Sequence, residues 1–314
     1  MKILVTGGCG YVGTNLIIKL LELGHKILSI DNKWFGDFLP KHKNLKNIKC
    51  DIRHIEKINI KNIETVIHLA SIANDDMALI NPELSWQTSS LGTYLLLKHC
   101  IKNKVKRFIY ASSGSVYGIK KEKRVTENLE LKPISTYNKV KMTTERIIQS
   151  YNNDLETFII RPATVCGFSK RMRLDVSVNA LTFSALKNGI INVFGGNQIR
   201  PNIHIDDMTD LYIKLLSTSK KNTGVYNAGF ENMSILNIAK LIKKNIKCKI
   251  IVKKKNADQR SYRLDSTKLL RIYKPKKNVE TAIEELIYLY SKKILIDKPS
   301  YHSIKWLKKF NHLK

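Results

Sequence analysis

The chain has 314 residues, 43% of them hydrophobic, and a formal charge of +29 at pH 7. That length and apolar content suit a large packed domain rather than a disordered chain, and no run reaches the roughly eighteen apolar residues of a membrane span. Cys9, Cys50, Cys100, Cys166 and Cys248 are scattered, without a CxxC pair, so neither a metal site nor a disulfide framework is expected.

Lys2–Thr6 reads as a first strand. Its apolar run, Ile3 to Val5, ends at Thr6-Gly7-Gly8, too early for a signal peptide, so a cytoplasmic protein without membrane insertion is expected. The turn Thr6-Gly7-Gly8-Cys9-Gly10-Tyr11-Val12-Gly13 then opens a helix over roughly 11–23. Glycines at 7, 10 and 13 allow a tight turn, approach of a pyrophosphate to the backbone, and close helix–strand packing. The helix N-terminus adds N–H donors and a favourable dipole. A second strand, Lys26–Ile30, ends at Asp31, eighteen residues beyond Gly13, with Asn32 next to it. A carboxylate there accepts bonds from ribose hydroxyls and repels a 2′-phosphate, so NAD is expected in preference to NADP.

Further strands are expected at Ile48–Asp51, Thr65–Leu69, Arg107–Ser112 and Thr157–Pro162, with helices near 83–103 and 136–151. β-rich runs alternating with helices predict an α/β fold, a doubly wound parallel sheet over residues 1–165. From 166 to 292 a smaller α/β cap is expected: helices over 177–188, 206–218, 234–246 and 279–292, and strands at 190–194 and 225–228. Residues 293–314 read as a basic, partly amphipathic tail, open between terminal packing, subunit contact and a frayed solvated end. The lysines, at 220–221, 243–244, 253–255, 276–277 and 308–309 among others, include no aromatic-interleaved block. They read as a solvated surface that attracts an anionic substrate, not as a nucleic-acid interface.

Tyr137-Asn138-Lys139-Val140-Lys141 lies near the start of its helix, after Pro133 and Ser135-Thr136. The i, i+4 spacing puts Tyr137 and Lys141 on one face. An adjacent ammonium favours the phenolate, which lets a tyrosine accept a hydroxyl proton. Ser112-Ser113-Gly114-Ser115-Val116-Tyr117-Gly118 follows a strand at the carboxyl edge of the sheet, where ligands bind in open parallel sheets. A serine there can bond the reacting oxygen beside the tyrosine.

TGGxGYxG at 6–13, Asp51-Ile52, His68-Leu69-Ala70, SSxSVYG at 112–118, PxSxYxxxK at 133–141 and Arg161-Pro162 together resemble the extended short-chain dehydrogenase/reductases. More narrowly, they resemble the NAD-dependent epimerase/dehydratase group acting on nucleotide sugars. The resemblance covers roughly residues 1–290 and implies a Rossmann-type sheet with a substrate-binding cap. It assigns Ser113 to the sugar 4-hydroxyl, Tyr137 to the base, and Lys141 to its partner and the nicotinamide ribose. Asp51 and Ile52 fall to the adenine pocket, and Leu69, Ala70 and Ser71 to the loop along the cofactor. Ser115, Asn179 and Arg200 fall to the substrate, with Arg260 a weaker candidate. Arg171 and Arg173 are open between substrate contact and surface charge. A homodimer through the helices near 83–103 and 136–151 is also implied.

Departures from the family pattern narrow the chemistry. Its 4,6-dehydratases carry Thr-Asp-Glu where this chain has Ser113-Gly114-Ser115, which argues against dehydration. Oxidation at C4 remains, as a 4-epimerase or as a net 4-dehydrogenase, for example of a GDP-heptose. A dinucleotide-sensing regulatory protein is the non-enzymatic alternative, and the Tyr/Lys pair argues against it. Ser89 stands where the family usually has Asn, and Cys166 where it usually has Tyr.

Overall fold

Residues 1–253 and 261–309 are described by a computed structural model. Among these residues twelve strands run in chain order as β1 (Lys2–Thr6), β2 (Lys26–Asp31), β3 (Leu45–Lys49), β4 (Thr65–His68), β5 (Arg107–Ala111), β6 (Glu156–Pro162), β7 (Thr164–Cys166), β8 (Ile190–Phe194), β9 (Ile199–His204), β10 (Gly224–Ala228), β11 (Glu231–Ser234) and β12 (Lys249–Lys253). Seven of them form one sheet in the order β10-β6-β5-β4-β1-β2-β3, every pair parallel. Parallel strands need helical crossovers, so both faces are covered and the central strands are continuously apolar. Ile3, Leu4 and Val5 of β1 are fully buried, as are Val66 and Ile67 of β4.

Helix α1 (Tyr11–Glu22) buries Leu16, Ile17 and Leu20 on one face of the sheet. The other face is covered by Leu96, Leu97 and Ile148, from helices Gly92–Lys102 and Thr136–Gln149. Strand order reverses between β1 and β4, and a crevice opens beyond their carboxyl ends, the usual ligand position of a doubly wound sheet.

The cap has its own core, in which Ile191, Val193, Ile238, Ile242 and Ile283 meet. It includes parallel β8–β12, and β9 flanked by parallel β7 and antiparallel β11. However, the segment 166–292 is not one block. β10 leaves the cap and pairs with β6 as the seventh strand of the main sheet. Helix Ile205–Ser217 likewise packs on α1, with Lys19 bridging Asp206 at 2.9 Å and Asp210 at 2.8 Å.

Other boundaries differ locally. The third strand covers Leu45–Lys49, because Asp51 turns away as the cap of a short helix over Ile52–Lys57. Helix 82–102 is interrupted by a π-helical turn at Trp86–Leu91, a widening often found beside functional sites. Strands β7, β9, β11 and β12 are short or polar and carry little period-2 signal. The C-terminal segment is packed: Leu295, Tyr301 and Leu307 are buried, and Ser303–Lys309 is helical. No described helix is long and apolar enough to cross a membrane.

Candidate active site

A cleft of about 500 Å³ runs along the carboxyl ends of the strands. Its floor is the glycine turn, whose shape depends on missing side chains. Gly7 has φ +72°, and a Cβ there would lie 2.7 Å from the Ala70 backbone nitrogen. A Cβ on Gly13 would lie 2.3 Å from the Gly7 carbonyl oxygen, so α1 can start this close to β1 only with glycine there. Gly10 caps α1 without a side-chain hydrogen bond, and no acidic residue occupies the first turn. The amides and dipole at this N-terminus thus suit an external anion, as a pyrophosphate is.

Asp31, at the end of β2, accepts the Cys9 amide at 3.0 Å and the Lys33 amide at 2.6 Å. Burial pushes its carboxyl above the usual range, while the two amides pull it back. The oriented carboxylate faces the cleft beside Asn32. At the far end, Arg53 holds both Asp51 oxygens, donating from its backbone at 2.9 Å and from Nη2 at 2.8 Å. Ile52 packs under Gly92, where a Cβ would approach to 2.8 Å. Leu69, Ala70 and Ser71 line the side wall. The cleft thus combines exposed glycine backbone, an oriented carboxylate and an apolar slot.

Ser113, Ser115, Tyr137 and Lys141 line the same cleft. Ser135 caps the helix Thr136–Gln149, accepting the Asn138 amide at 3.2 Å, and this fixes where Tyr137 starts. Burial pushes the Tyr137 phenol up to about 12, and the Ser113 hydroxyl opposes that shift. Burial likewise pulls the Lys141 ammonium down to about 7, opposed by Glu145. Lys141 Nζ donates to the Ala111 carbonyl at 2.7 Å and lies 5.9 Å from the Tyr137 ring centre. Both shifts favour neutral forms. A cationic group nearby would instead favour the phenolate.

Behind these groups lies a buried polar frame. The two carboxylate oxygens of Glu145 accept Arg161 Nε and Nη2, at 3.0 and 2.7 Å, and one also accepts the Ser112 hydroxyl. Arg161 Nη1 reaches the Tyr117 hydroxyl at 2.7 Å, which donates to Asn227 Oδ1 at 2.8 Å. The frame ties β5, β6, β10 and the Tyr137 helix together directly under the serines. Ser115 Oγ donates to Asn138 at 2.7 Å. An aspartate at 114 would have to displace Leu264, whose Cδ1 would lie 2.8 Å from its Cβ.

Of the substrate candidates, Arg200 lines the cleft with Ser113 and Ser115. Asn179 is fully buried away from it. Its Oδ1 accepts the Gly167 amide at 3.0 Å and its Nδ2 donates to Tyr11 Oη and Arg173 O, each at 3.0 Å. Asn179 thus shapes the cleft wall from behind. Arg260 lies outside the described residues. The cleft also takes in Trp34, Phe35, Asn74, Asp75, Tyr262 and Ser303, which follow no motif. Arg171 and Arg173 line it too, and the Lys170–Arg173 run was their one signal. Ser89 sits on the π-helical turn, its hydroxyl 2.9 Å from that of Ser71.

Residues 3–229 match the model of the NAD dependent epimerase/dehydratase family. A Methanocaldococcus jannaschii protein, provisionally named a UDP-glucose 4-epimerase, is 31% identical over 252 residues, 78% of this chain and 82% of its own. A Thermotoga maritima UDP-glucose 4-epimerase solved with UDP-glucose superposes with a TM-score of 0.85 at 26% identity, over 94% of this chain and all of that one. The Bacillus cereus UDP-glucuronic acid 4-epimerase, solved with UDP-glucuronic acid and NAD, gives 0.79 at 26%, with the same coverage. The chain belongs to the NAD dependent epimerase/dehydratase family and is an enzyme whose cofactor is NAD.

Proposed function

We propose that this enzyme inverts C4 of a nucleotide-activated sugar through a 4-keto intermediate, with Ser113, Tyr137 and Lys141 as its catalytic residues. The single observation that carries this reading is that they line one cleft with the glycine turn and Asp31, without a carboxylic acid at 114 or 115. The names of the similar proteins, 4-epimerases of UDP-sugars, support the same reaction class.

Bound NAD supplies hydride acceptance and return at C4. The residues of this chain do the rest. Ser113 holds the 4-hydroxyl against the Tyr137 oxygen, and Tyr137 takes its proton as the hydride leaves C4. Lys141, charged and in place beside the ring, lowers the cost of the phenolate. The same proton is returned from Tyr137 to the C4 oxygen as the ketone is reduced. Gly114 and Ser115 lack the carboxyl groups that a 4,6-elimination uses, so the ketone goes back to an alcohol. Arg200 holds the substrate diphosphate by its several donors. The Rossmann portion, residues 1–165 joined by β10 and the helix Ile205–Ser217, carries the chemistry, and the rest of residues 166–292 mainly holds the sugar nucleotide.

The enzyme acts as a homodimer. Trp86, Leu91 and Tyr94, along helix 82–102, are large apolar residues left open to solvent, as a self-complementary helical interface requires.

The test is purified protein against UDP-, dTDP-, CDP-, GDP- and ADP-sugars, with nicotinamide absorbance and the sugar's proton spectrum followed together. An isomeric sugar without lasting NADH is expected. NADH accumulating in step with a keto sugar would replace this reading by a net 4-dehydrogenase.

A further inference from the structure

Arg171 is a buried cation on which Asp175 and Asp31 act only at longer range. It is 3% exposed, and burial pulls its guanidinium down to about 9. Among the described residues no carboxylate pairs with it. Asp175 is bound to Arg173 at 2.9 Å and to the Ser303 amide at 3.1 Å, and Asp31 already holds two backbone amides. Of five N–H donors, one reaches the Met172 carbonyl and one the Ser303 hydroxyl, both at 3.1 Å, while Nε has no partner. Burying an arginine in this condition is costly unless a counter-charge arrives. The same side chain lines the cleft, its guanidinium 4.0 Å from the centre of the Phe35 ring.

Its other neighbour is the C-terminal segment. Ser303 opens the helix Ser303–Lys309, in which Trp306 Nε1 donates to the Trp34 carbonyl at 2.7 Å. Leu307 is buried in one cluster with Ile72 and Met77, against which Trp34, Phe35 and Tyr137 also pack. Arg171 therefore joins three things: the loop after β2, the C-terminal helix, and the open volume of the cleft.

We propose that Arg171 is an anion-binding residue that couples the arrival of a diphosphate to the seating of residues 299–309. The proposal rests on the reading of the cleft as a site for NAD and a sugar nucleotide. A diphosphate supplies a directly bonded counter-charge while Arg171 keeps its hydrogen bond to Ser303 and its contact with the Phe35 ring. A ligand that satisfies Arg171 only when the helix is docked stabilises the docked helix, and by linkage the docked helix tightens the ligand. The diphosphate belongs either to the dinucleotide or to the sugar nucleotide.

The test uses full-length protein stripped of cofactor, with NADH as one probe, and the NAD-loaded protein with UDP as the other. Amide exchange over residues 299–309 is read with and without each probe. In the wild type, one probe slows that exchange by about tenfold or more, and it identifies whose diphosphate Arg171 holds. Arg171→Met binds that probe about 10- to 100-fold more weakly, the range of a lost charge-assisted bond, and its exchange no longer responds. Should Arg171→Met fail to fold, Ser303→Ala keeps the guanidinium and cuts its tie to the helix. It is expected to bind within a few-fold of wild type but to lose the exchange response; a wild-type response there overturns the coupling. If the wild type binds both probes and exchange over 299–309 is unchanged, or Arg171→Met binds both as tightly, the proposal fails alone. A wild type that binds neither probe sinks the reading of the cleft with it.

Discussion

Tyr137 and Lys141 occupy one helix face, and burial moves their protons in opposite directions, to about 12 and about 7. Each is poor at its proposed task until a charge enters the cleft, which makes the pair dependent on a loaded site. Tyr137→Phe should retain NAD through purification yet lose about 10²- to 10⁴-fold in turnover, the usual range for a general base; turnover near wild type would move the base elsewhere. Lys141 also has a thermodynamic signature. Its folded value lies below that of a free lysine, about 10.4, so between pH 7 and that value the unfolded chain carries a proton that the folded one lacks. Stability from this group therefore rises with pH across the window and is at its lowest below pH 7. In the cofactor-stripped protein, Lys141→Met should flatten that rise in urea midpoints measured from pH 7 to 10. An unchanged slope would mean that Lys141 stays charged. The YxxxK spacing made both residues legible from sequence alone. Their pKa shifts were not, because these arise from burial, which only the folded sheet and its neighbours impose.

At the scale of elements, the Tyr137 helix is fixed at two points: by its Ser135 cap and, two turns on, by the Glu145–Arg161 pair. Removing one member of a buried ion pair leaves the other charge uncompensated, at a cost of about 3–5 kcal/mol. Glu145→Ala should therefore lose about that much in chemical denaturation, and a loss below about 1 kcal/mol would mean that water reaches Arg161. The crossovers from β1 to β6 could be read from alternating apolar runs and glycine punctuation. The segments β7, β9, β11 and β12 could not, since three to six residues span too few repeats to carry a usable period. Asn179 shows a related limit. Its position was legible, but its three partners, Tyr11 from α1 and Gly167 and Arg173 from the preceding loop, turn it into the wall rather than the cleft. Of the readings of the tail, terminal packing describes residues 299–309, whose few apolar residues are spaced too irregularly to announce it.

For the whole molecule, the open apolar face of helix 82–102 predicts a dimer by light scattering at micromolar concentration, and a monomer after Leu91→Glu. A monomeric wild type would leave Trp86, Leu91 and Tyr94 without an explanation. The +29 charge predicts that association with an anionic sugar nucleotide slows as salt rises toward 0.5 M, while the chemical step does not. The main sheet carries one more consequence, for synthesis. Its seventh strand, Gly224–Ala228, pairs with Glu156–Pro162, yet the ribosome makes the cap's first helix and strands between the two. At roughly 5–20 residues per second, β6 is left for several seconds as a bare parallel edge with its amides unclaimed. A nascent chain stalled before residue 224 should therefore depend on chaperones to avoid edge-to-edge association, whereas one stalled just after the closing strand has left the exit tunnel should not.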